Sequence, residues 1–300
     1  MVGGGNMKVK VSREDKVFNI ITVVVLIVMM LIALYPMYFS LIASFSSPRA
    51  IYQGRVTILP ADVTLEGYKK IFADQSIWTG YINAIVYTLV GTSLNVLFTI
   101  PLAYALSRKE FPLGGVYMKI FVFTMYFYGG IIPLYFVVKE LEMLDTMWAV
   151  ILPTMISTYN LIIARSYFMN NIPEELKEAA FLDGCGYIGF FFRIALPLSK
   201  SIIAVMVLFY AAKQWNSYFE AMIYLNTESK FPLQLVLRTI LIDSQNSIAA
   251  SDASTVAEKQ QLVDLLKYGC VVVSSIPMLI FYPFVQKHFV KGVMVGAVKG

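Results

Sequence analysis

Charged and polar side chains interrupt one long apolar stretch of the sequence. The stretch runs from Leu198 to Leu225 and is mainly apolar, but it contains charged and polar residues in its second half. A charge at the centre of a membrane helix costs about 2.5–3.5 kcal/mol on insertion scales, so such a residue must face protein or water. With helical spacing i, i+3, i+4 and i+7, one polar stripe forms from Lys213, Asn216, Ser217 and Glu220.

Two interpretations of this stripe are open. In the first, it lines a path for a polar solute, with Trp215 and Tyr218 supplying aromatic faces that suit sugars. In the second, Lys213 pairs with Glu220 or with an acid of a partner chain and only holds helices together. The candidate path residues are Lys213, Trp215, Asn216, Ser217, Tyr218 and Glu220. A weaker stripe is more typical of helix packing and consists of Thr88, Thr92, Asn95 and Thr99.

A second segment, residues 171–197, has the order of residues expected for a short capped helix. Its Pro-Glu-Glu at 173–175 suits a first helical turn, where acidic groups meet the positive end of the dipole. Gly184 suits a left-handed helix stop. One face of this helix is predicted to hold Leu176, Ala179, Ala180 and Asp183. Its small residues would let another protein's backbone approach closely. The residues alone leave open a plain surface linker helix.

The composition defines the solvent of this chain. Of its 300 residues, 58% are hydrophobic and 14% are charged, against about 45–50% and about 25% in soluble domains. These values exclude disorder, a coiled coil and a small disulfide scaffold, and they argue strongly against an ordinary soluble enzyme. Two cysteines, Cys185 and Cys270, and one histidine, His288, exclude a zinc or haem site built on several His or Cys ligands. Lipid is the environment that such a sequence fits.

Six apolar stretches are long enough to cross about 30 Å of hydrocarbon, which takes about 20 residues. We therefore predict an all-α integral membrane fold with six transmembrane helices. The stretches are Val17–Pro48, Gln75–Ser107, Ile120–Val138, Thr146–Ala164, Leu198–Leu225 and Tyr268–Gln286. The first is too long for a signal-peptide core.

The distribution of basic residues predicts the orientation. If the amino terminus lies in the cytoplasm, the cytoplasmic segments hold 14 of the 24 Lys and Arg residues but only seven of the 19 Asp and Glu residues. Lys and Arg prefer the cytoplasmic side, so both termini are predicted to be cytoplasmic. The predicted organisation is a tail at 1–16, a six-helix domain at 17–286 with external loops at about 46–80 and 226–267, and a tail at 287–300. Within the second loop, helical spacing is followed by Leu233, Val236, Leu237, Ile240 and Leu241. Met1 and Met7 are both possible starts.

The segment 171–197 resembles the EAA signature of ABC importer permeases. Glu178-Ala179-Ala180 is followed by Gly184, and Ile194-x-Leu196-Pro197 comes after it at the spacing of that signature. Asp183-Gly184 is similar to the sugar-importer branch, and the last residues, 289–300, resemble the tail of MalG-type permeases. The region from Gly129 to Asn160 is similar to the LplC/YtcP subgroup, which is linked to complex oligosaccharides.

This resemblance implies a type I importer with a MetI-like permease fold in the bacterial cytoplasmic membrane. It implies pairing with a second permease chain, a heterodimer being favoured, with two ATPase subunits and an external solute-binding protein that delivers an oligosaccharide. The residues that would couple to the ATPases are Glu178, Ala179, Ala180, Asp183, Gly184, Ile194, Leu196 and Pro197. No nucleic-acid partner is implied.

The chain is not expected to be an enzyme or to hold a cofactor of its own. The sequence contains no G-x-x-x-x-G-K-[ST] string, so ATP and magnesium are expected on a partner ATPase. A permease for a non-sugar solute and a secondary transporter are alternative interpretations. The latter predicts inverted repeats and a broken helix pair with ion ligands, which the sequence does not display. A membrane enzyme would need a nucleophile or metal cluster, and no convincing set is present.

Overall fold

The computed structural model describes residues 12–249 and 253–297, and among these it describes all side chains except those of 247–249, 253–259, 262 and 284–297. Within these residues the chain is helical, without a named strand. The α-helices are α1 Arg13–Ser44, α2 Pro48–Tyr52, α3 Glu66–Ala73, α4 Gln75–Ser107, α5 Gly114–Tyr126, α6 Ile131–Glu140, α7 Met147–Ile151, α8 Thr158–Asn171, α9 Glu174–Leu182, α10 Tyr187–Phe190, α11 Leu196–Leu198, α12 Lys200–Trp215, α13 Tyr218–Tyr224, α14 Leu233–Ala249 and α15 Ala253–Ala297. Short 3₁₀ turns lie at Leu152–Thr154 and Glu228–Lys230, and a π-helical turn at Phe191–Ala195.

Among the described residues, three helices are long and apolar enough to cross a membrane, and up to six spans result if each of three bent helix pairs counts as one. The long helices are α1, α4 and the Val263–Pro283 part of α15. The bent pairs are α5 with α6 (114°), Met147–Thr154 with α8 (50°), and Tyr187–Leu198 with α12 (78°). The six predicted apolar stretches therefore correspond to six helical regions of the described chain.

Three of the predicted spans are not the continuous helices that their hydropathy suggested. The stretch 146–164 is broken between Thr154 and Thr158. The stretch 120–138 is broken between Tyr126 and Ile131, where Gly130 takes a φ of +93° that favours glycine. The stretch 198–225 is divided as well, since α12 ends at Trp215 and α13 begins at Tyr218. Hydropathy reports where a segment partitions, but it does not show where a helix bends.

The described chain forms two compact units, and the first contains residues 12–69 and 253–272. Helix α1 begins with a capping box in which Ser12 and Asp15 exchange side-chain to backbone hydrogen bonds. Its apolar residues are mostly exposed, as expected for a surface that meets lipid. The segment after α2 folds back on α1, where the Tyr35 and Tyr38 hydroxyls donate to the carbonyls of Thr57 and Ile58.

The second unit contains residues 70–249 and 273–297 and holds the main apolar core. Helices α4, α8 and α12 pack on one another around Tyr210, Phe168 and Leu161, which are fully buried. At one end, the loop before α7 is tied to the segment after α13 by Asp145. Its carboxylate accepts hydrogen bonds from the Lys230 ammonium (2.7 Å), the Thr227 hydroxyl (2.7 Å) and two backbone N–H groups. These bonds lower the pKa of Asp145, and the bond from Lys230 contributes most.

The predicted loops and tails are more helical than the sequence suggested. The predicted external segment 226–267 contains α14, whose apolar spacing was correctly taken as helical, and the start of α15. Residues 1–11 of the predicted amino-terminal tail and 298–300 of the carboxyl-terminal tail lie outside the described residues. The rest of the 287–300 tail continues α15 to Ala297, and the His288 side chain also lies outside the described set.

Candidate functional site

A complete cap ends helix α9. Gly184 takes a φ of +82°, and its N–H donates to the Phe181 carbonyl over 3.0 Å. The Cys185 N–H reaches back to the Ala180 carbonyl over 2.9 Å. These two bonds are the Schellman arrangement, which satisfies the last carbonyls of a helix and reverses the chain direction. The predicted left-handed stop at Gly184 is confirmed, and the acidic first turn of Glu174 and Glu175 is present as well.

Behind this turn, the second half of the predicted coupling segment is anchored in the core. Phe190, Phe191 and Ala195 are buried beside Tyr104 and Phe168. The π-helical turn precedes Pro197, and its Leu196 N–H donates to the Phe191 carbonyl five residues earlier. A proline lacks the N–H that would continue a regular helix, so a local change of pitch at this point has a clear cause.

A buried lysine fixes α9 to the end of α4. Lys177 is only 4% exposed, and its ammonium donates to the carboxylates of Glu110 and Glu174. The same ammonium lies over the rings of Phe181 (5.6 Å) and Tyr187 (6.0 Å). A buried ammonium needs such partners, because an unpaired one would be strongly disfavoured. Helix α9 is therefore held by its charges as well as by its apolar face.

Two arginines join the adjacent ends of α4 and α8. Arg108, just after α4, donates to the carbonyls of Phe168 (2.9 Å) and Ile172 (3.2 Å) at the end of α8. Arg165 of α8 donates to the Leu106 carbonyl (2.8 Å) at the end of α4. Each arginine thus supplies donors to carbonyls at the carboxyl-terminal end, the negative dipole end, of the other helix.

The residues left exposed on α9 differ in part from the predicted face. Ala179 and Asp183 are exposed as expected, whereas Ala180 is buried in the core and Leu176 is half-buried. The predicted face is wrong at these two positions because Lys177 and Ala180 together form the side that packs inward. Of the other candidate coupling residues, Glu178, Gly184 and Pro197 are exposed, and Ile194 and Leu196 are half-buried.

Sequence reasoning missed two apolar residues that flank the turn. Leu182 is 90% exposed and Ile188 is 77% exposed. Together with Asp183 and Gly184 they form an exposed apolar edge on a capped, rigid turn. An apolar residue on the charged side of a short helix was the signal that could have identified Leu182.

The proposed stripe on the fifth span is not continuous. Because α12 ends at Trp215, Asn216 and Ser217 lie in the break and donate to the α12 carbonyls of Ala212 (2.8 Å) and Gln214 (2.7 Å). Asn216 is exposed and Ser217 is buried. Spacing rules for a single helix do not apply across such a break, and the predicted four-residue stripe is therefore wrong as a geometric unit.

Lys213 has a different contact from the one that the pairing interpretation required. Its ammonium donates to the Thr154 carbonyl over 3.2 Å, and the described residues contain no ion pair between Lys213 and Glu220. Glu220 is half-buried on α13, where Tyr218 is exposed beside the Arg238 guanidinium, 5.3 Å from the ring centre.

Two polar side chains contact backbone carbonyls near Pro277 in the last long helix. Pro277 cannot donate to the Val273 carbonyl, and this carbonyl instead accepts from the Tyr81 hydroxyl over 2.6 Å. The neighbouring Ser274 carbonyl accepts from the Trp215 indole over 3.0 Å. The indole of this candidate path residue is therefore engaged in helix contact.

An apolar cavity of about 600 Å³ lies between α4, α12 and the Pro277–Phe281 part of α15. The first two residues of the weaker polar stripe, Thr88 and Thr92, line it. The other two, Asn95 and Thr99, are fully buried against other helices. The four residues therefore lie in two different environments. Asn95 and Thr99 pack between helices, as the sequence favoured.

The contacts of the described side chains form a mechanical arrangement. Its parts are a rigid exposed turn, a charged anchor that joins this turn to α4 and α8, and polar groups that satisfy the backbone where helices bend. Such an arrangement suits the transmission of a movement from α9 to the spans.

Comparisons with known proteins agree with this architecture. Residues 75–295 match the family described as "binding-protein-dependent transport system inner membrane component". The chain is 38% identical to protein LplC of Bacillus subtilis, over 96% of this chain and 97% of LplC. It is also 38% identical to the polygalacturonan/rhamnogalacturonan transport system permease YtcP of Bacillus subtilis, over 96% of this chain and 100% of YtcP. A solved chain from a bacterial ABC transporter involved in import of the acidic polysaccharide alginate superposes with a TM-score of 0.79 at 33% identity, covering 93% of this chain and 98% of that one.

Lys177→Met is expected to lower the thermal stability of the purified protein. The change removes two charge-assisted contacts, worth about 1–3 kcal/mol together, with the lower end favoured because both glutamates are more than one-third exposed. Lys109→Met is the matched control, since Lys109 is exposed and lies beside Glu110 without a contact of its own in the described residues. Equal melting temperatures for the two variants would contradict the anchor.

The pH dependence of this difference can be checked in the same experiment. The hydrogen bond from Lys177 lowers the pKa of Glu110 from 4.5 to about 2. A lowered carboxyl pKa gives stability that is present above the unfolded value and lost as the pH falls towards the folded value. The difference between wild type and Lys177→Met should therefore be constant from neutral pH to about pH 5 and shrink below pH 4.5.

Proposed function

The chain belongs to the family of binding-protein-dependent transport system inner membrane components and is an ABC importer permease, and we propose that its importer carries oligosaccharides, in particular acidic ones. The observation that carries this proposal is the likeness over nearly the whole chain to a chain of the alginate importer. YtcP, the polygalacturonan and rhamnogalacturonan permease, supports the same substrate class. Galacturonan and alginate are both built from uronic acids.

The chain has no catalytic step of its own in this proposal. ATP and magnesium are bound by two partner ATPase subunits, and an external binding protein delivers the sugar. A second, homologous permease chain completes the path. The candidate path residues of this chain are those around the α12–α13 break, where Tyr218 offers an exposed aromatic face beside Arg238.

The exposed turn at Gly184 is the proposed contact with an ATPase subunit. Leu182 and Ile188 would enter an apolar cleft, and Glu178 and Asp183 would meet its rim. Movement of the ATPases would be passed through Lys177 to α4 and through Arg108 to α8. Such a movement would convert the pathway between inward- and outward-open states.

The substrate class is tested by uptake in cells that carry the chain with its native partners. We expect labelled oligogalacturonate or oligoalginate to enter, and uptake to be lost when the chain is deleted and restored by its return. A neutral oligosaccharide of equal length is the control and should not compete. Uptake of the neutral sugar alone would contradict the acidic class while leaving the ABC permease role in place.

Gly184→Val is expected to abolish transport while the protein still inserts into the membrane. A β-branched residue at a φ of +82° is strained by about 1–3 kcal/mol, although the space around the glycine is open. Gly186→Val is the matched control, because Gly186 is also in open space but has an ordinary φ of −81°. Association with the ATPases and substrate-stimulated ATP hydrolysis are the measurements, and normal hydrolysis in Gly184→Val would contradict the role of the turn.

We also propose that both termini lie in the cytoplasm. The excess of basic residues on one side supports this orientation. In a variant without Cys185 and Cys270, a cysteine at the exposed Gln53 should react with an impermeant thiol reagent on intact cells, and one at the exposed Lys109 should react only after lysis. The opposite pattern would reverse the topology.

A further inference from the structure

The fourth span breaks between its outer piece, Met147–Thr154, and α8. A helix that ends within the membrane leaves its last carbonyls without donors, and lipid supplies none. Here two neighbouring helices supply them. Lys213 of α12 donates to the Thr154 carbonyl over 3.2 Å. With its nitrogen facing the carbonyls, the amide of Asn95 on α4 donates to Gly91 (2.9 Å) and Met155 (3.2 Å).

The other side of the break is also held from outside the span. The Ser157 N–H, which precedes α8, donates to the Tyr210 hydroxyl over 3.2 Å. That hydroxyl also forms a 2.7 Å hydrogen bond with the Thr99 hydroxyl, and both side chains are fully buried. The angle of the broken span is therefore set by α4 and α12.

We propose that Lys213 is a positioning residue of the transport cycle, which fixes the outer piece of the fourth span against α12. Its ammonium meets the negative dipole end of Met147–Thr154, so the contact combines a hydrogen bond with a favourable charge. Lys213 then acts through Thr154 rather than through the solute.

This position matters because α8 leads directly into α9. Arg108 and Arg165 join α8 to α4 at the far end, and Asn95, Thr99 and Tyr210 join them at the break. Helices α4, α8 and α12 thus move as one body that carries the proposed ATPase contact. Lys213 determines whether the outer piece moves with that body.

The contacts of the neighbouring candidates favour this role over substrate binding. Trp215, Asn216 and Ser217 each donate a hydrogen bond to a helix carbonyl. Lys213 follows the same pattern, because its described contact is a carbonyl and not an acid. The transport part of the inference rests on the proposed function, whereas the angle of the span can be measured independently.

The experiment measures the distance across the break by spin labels in the assembled complex. Cysteines replace the exposed Trp148 and Met169 in a chain lacking Cys185 and Cys270. In Lys213→Met, we expect the fraction of molecules with a different label-to-label distance to rise about tenfold. The reason is that a charge-assisted hydrogen bond of about 1.4 kcal/mol is lost, which corresponds to a tenfold change in an equilibrium. Lys213→Arg keeps a cationic donor and should restore the single distance.

The matched control is Thr92→Val, an isosteric change on α4. The Thr92 side chain is 8% exposed, and its hydroxyl has no hydrogen-bond partner in the described part of the chain, so the distance should not change. Uptake per assembled complex should fall in Lys213→Met, recover in Lys213→Arg and stay normal in Thr92→Val. This pattern separates positioning from a loss of folded complex.

Two results would overturn the inference. One is an unchanged distance in Lys213→Met, whether or not uptake falls, because a fall without a change of angle would point to contact with the solute. The other is an equal change in Thr92→Val. Absence of uptake in the wild-type complex would contradict the proposed function alone, and the distance comparison would still decide the role of Lys213.

Discussion

A backbone polar group in lipid has no water to bind, and the structure of this chain depends on how that constraint is met. Straight helices meet it internally, but three of the spans are bent pairs. The carbonyls freed at bends and helix ends accept from long donors on neighbouring helices, such as Lys213, Tyr81 and Trp215. Side chains that the sequence suggests as solute contacts therefore use some of their hydrogen-bond donors on the backbone of their own chain.

Near α9, at one end of the second unit, side-chain donors also satisfy backbone carbonyls and carboxylates, and there the donors are charged. Arg108 and Arg165 bind helix-end carbonyls, and Lys177 binds two carboxylates. The short helix α9 packs an apolar face on the core, and the Lys177 contacts add to this packing in holding its orientation. These contacts leave the turn at Gly184 exposed. A rigid exposed turn can transmit a displacement to the helices, whereas a flexible linker would not.

Much of the fold and part of the site could be predicted from the sequence, and the limits have physical causes. The apolar stretches, the stop at Gly184 and the helical spacing of α14 are local features and were predicted correctly. The breaks at 127–130 and 155–157 were not, because the side chains that satisfy the second one come from α4 and α12, 53 residues or more away in sequence. The burial of Lys177 was also missed, since lysine is almost never fully buried unless it is paired.

The reciprocal arginine contacts have a consequence for how the chain can vary. The contacts of Asn95 at the break and of Arg108 at the far end lie 13 positions apart on α4, which is about 20 Å of helix. Asn95 contacts the Met155 carbonyl just before α8, and Arg108 contacts carbonyls at the end of α8, so the two helices must match in length between these contacts. One inserted residue would rotate everything beyond it by about 100° and separate the arginine from its carbonyls. Between these points neither helix can gain or lose a residue without breaking a contact, so changes in length would be tolerated only in the loops beyond them.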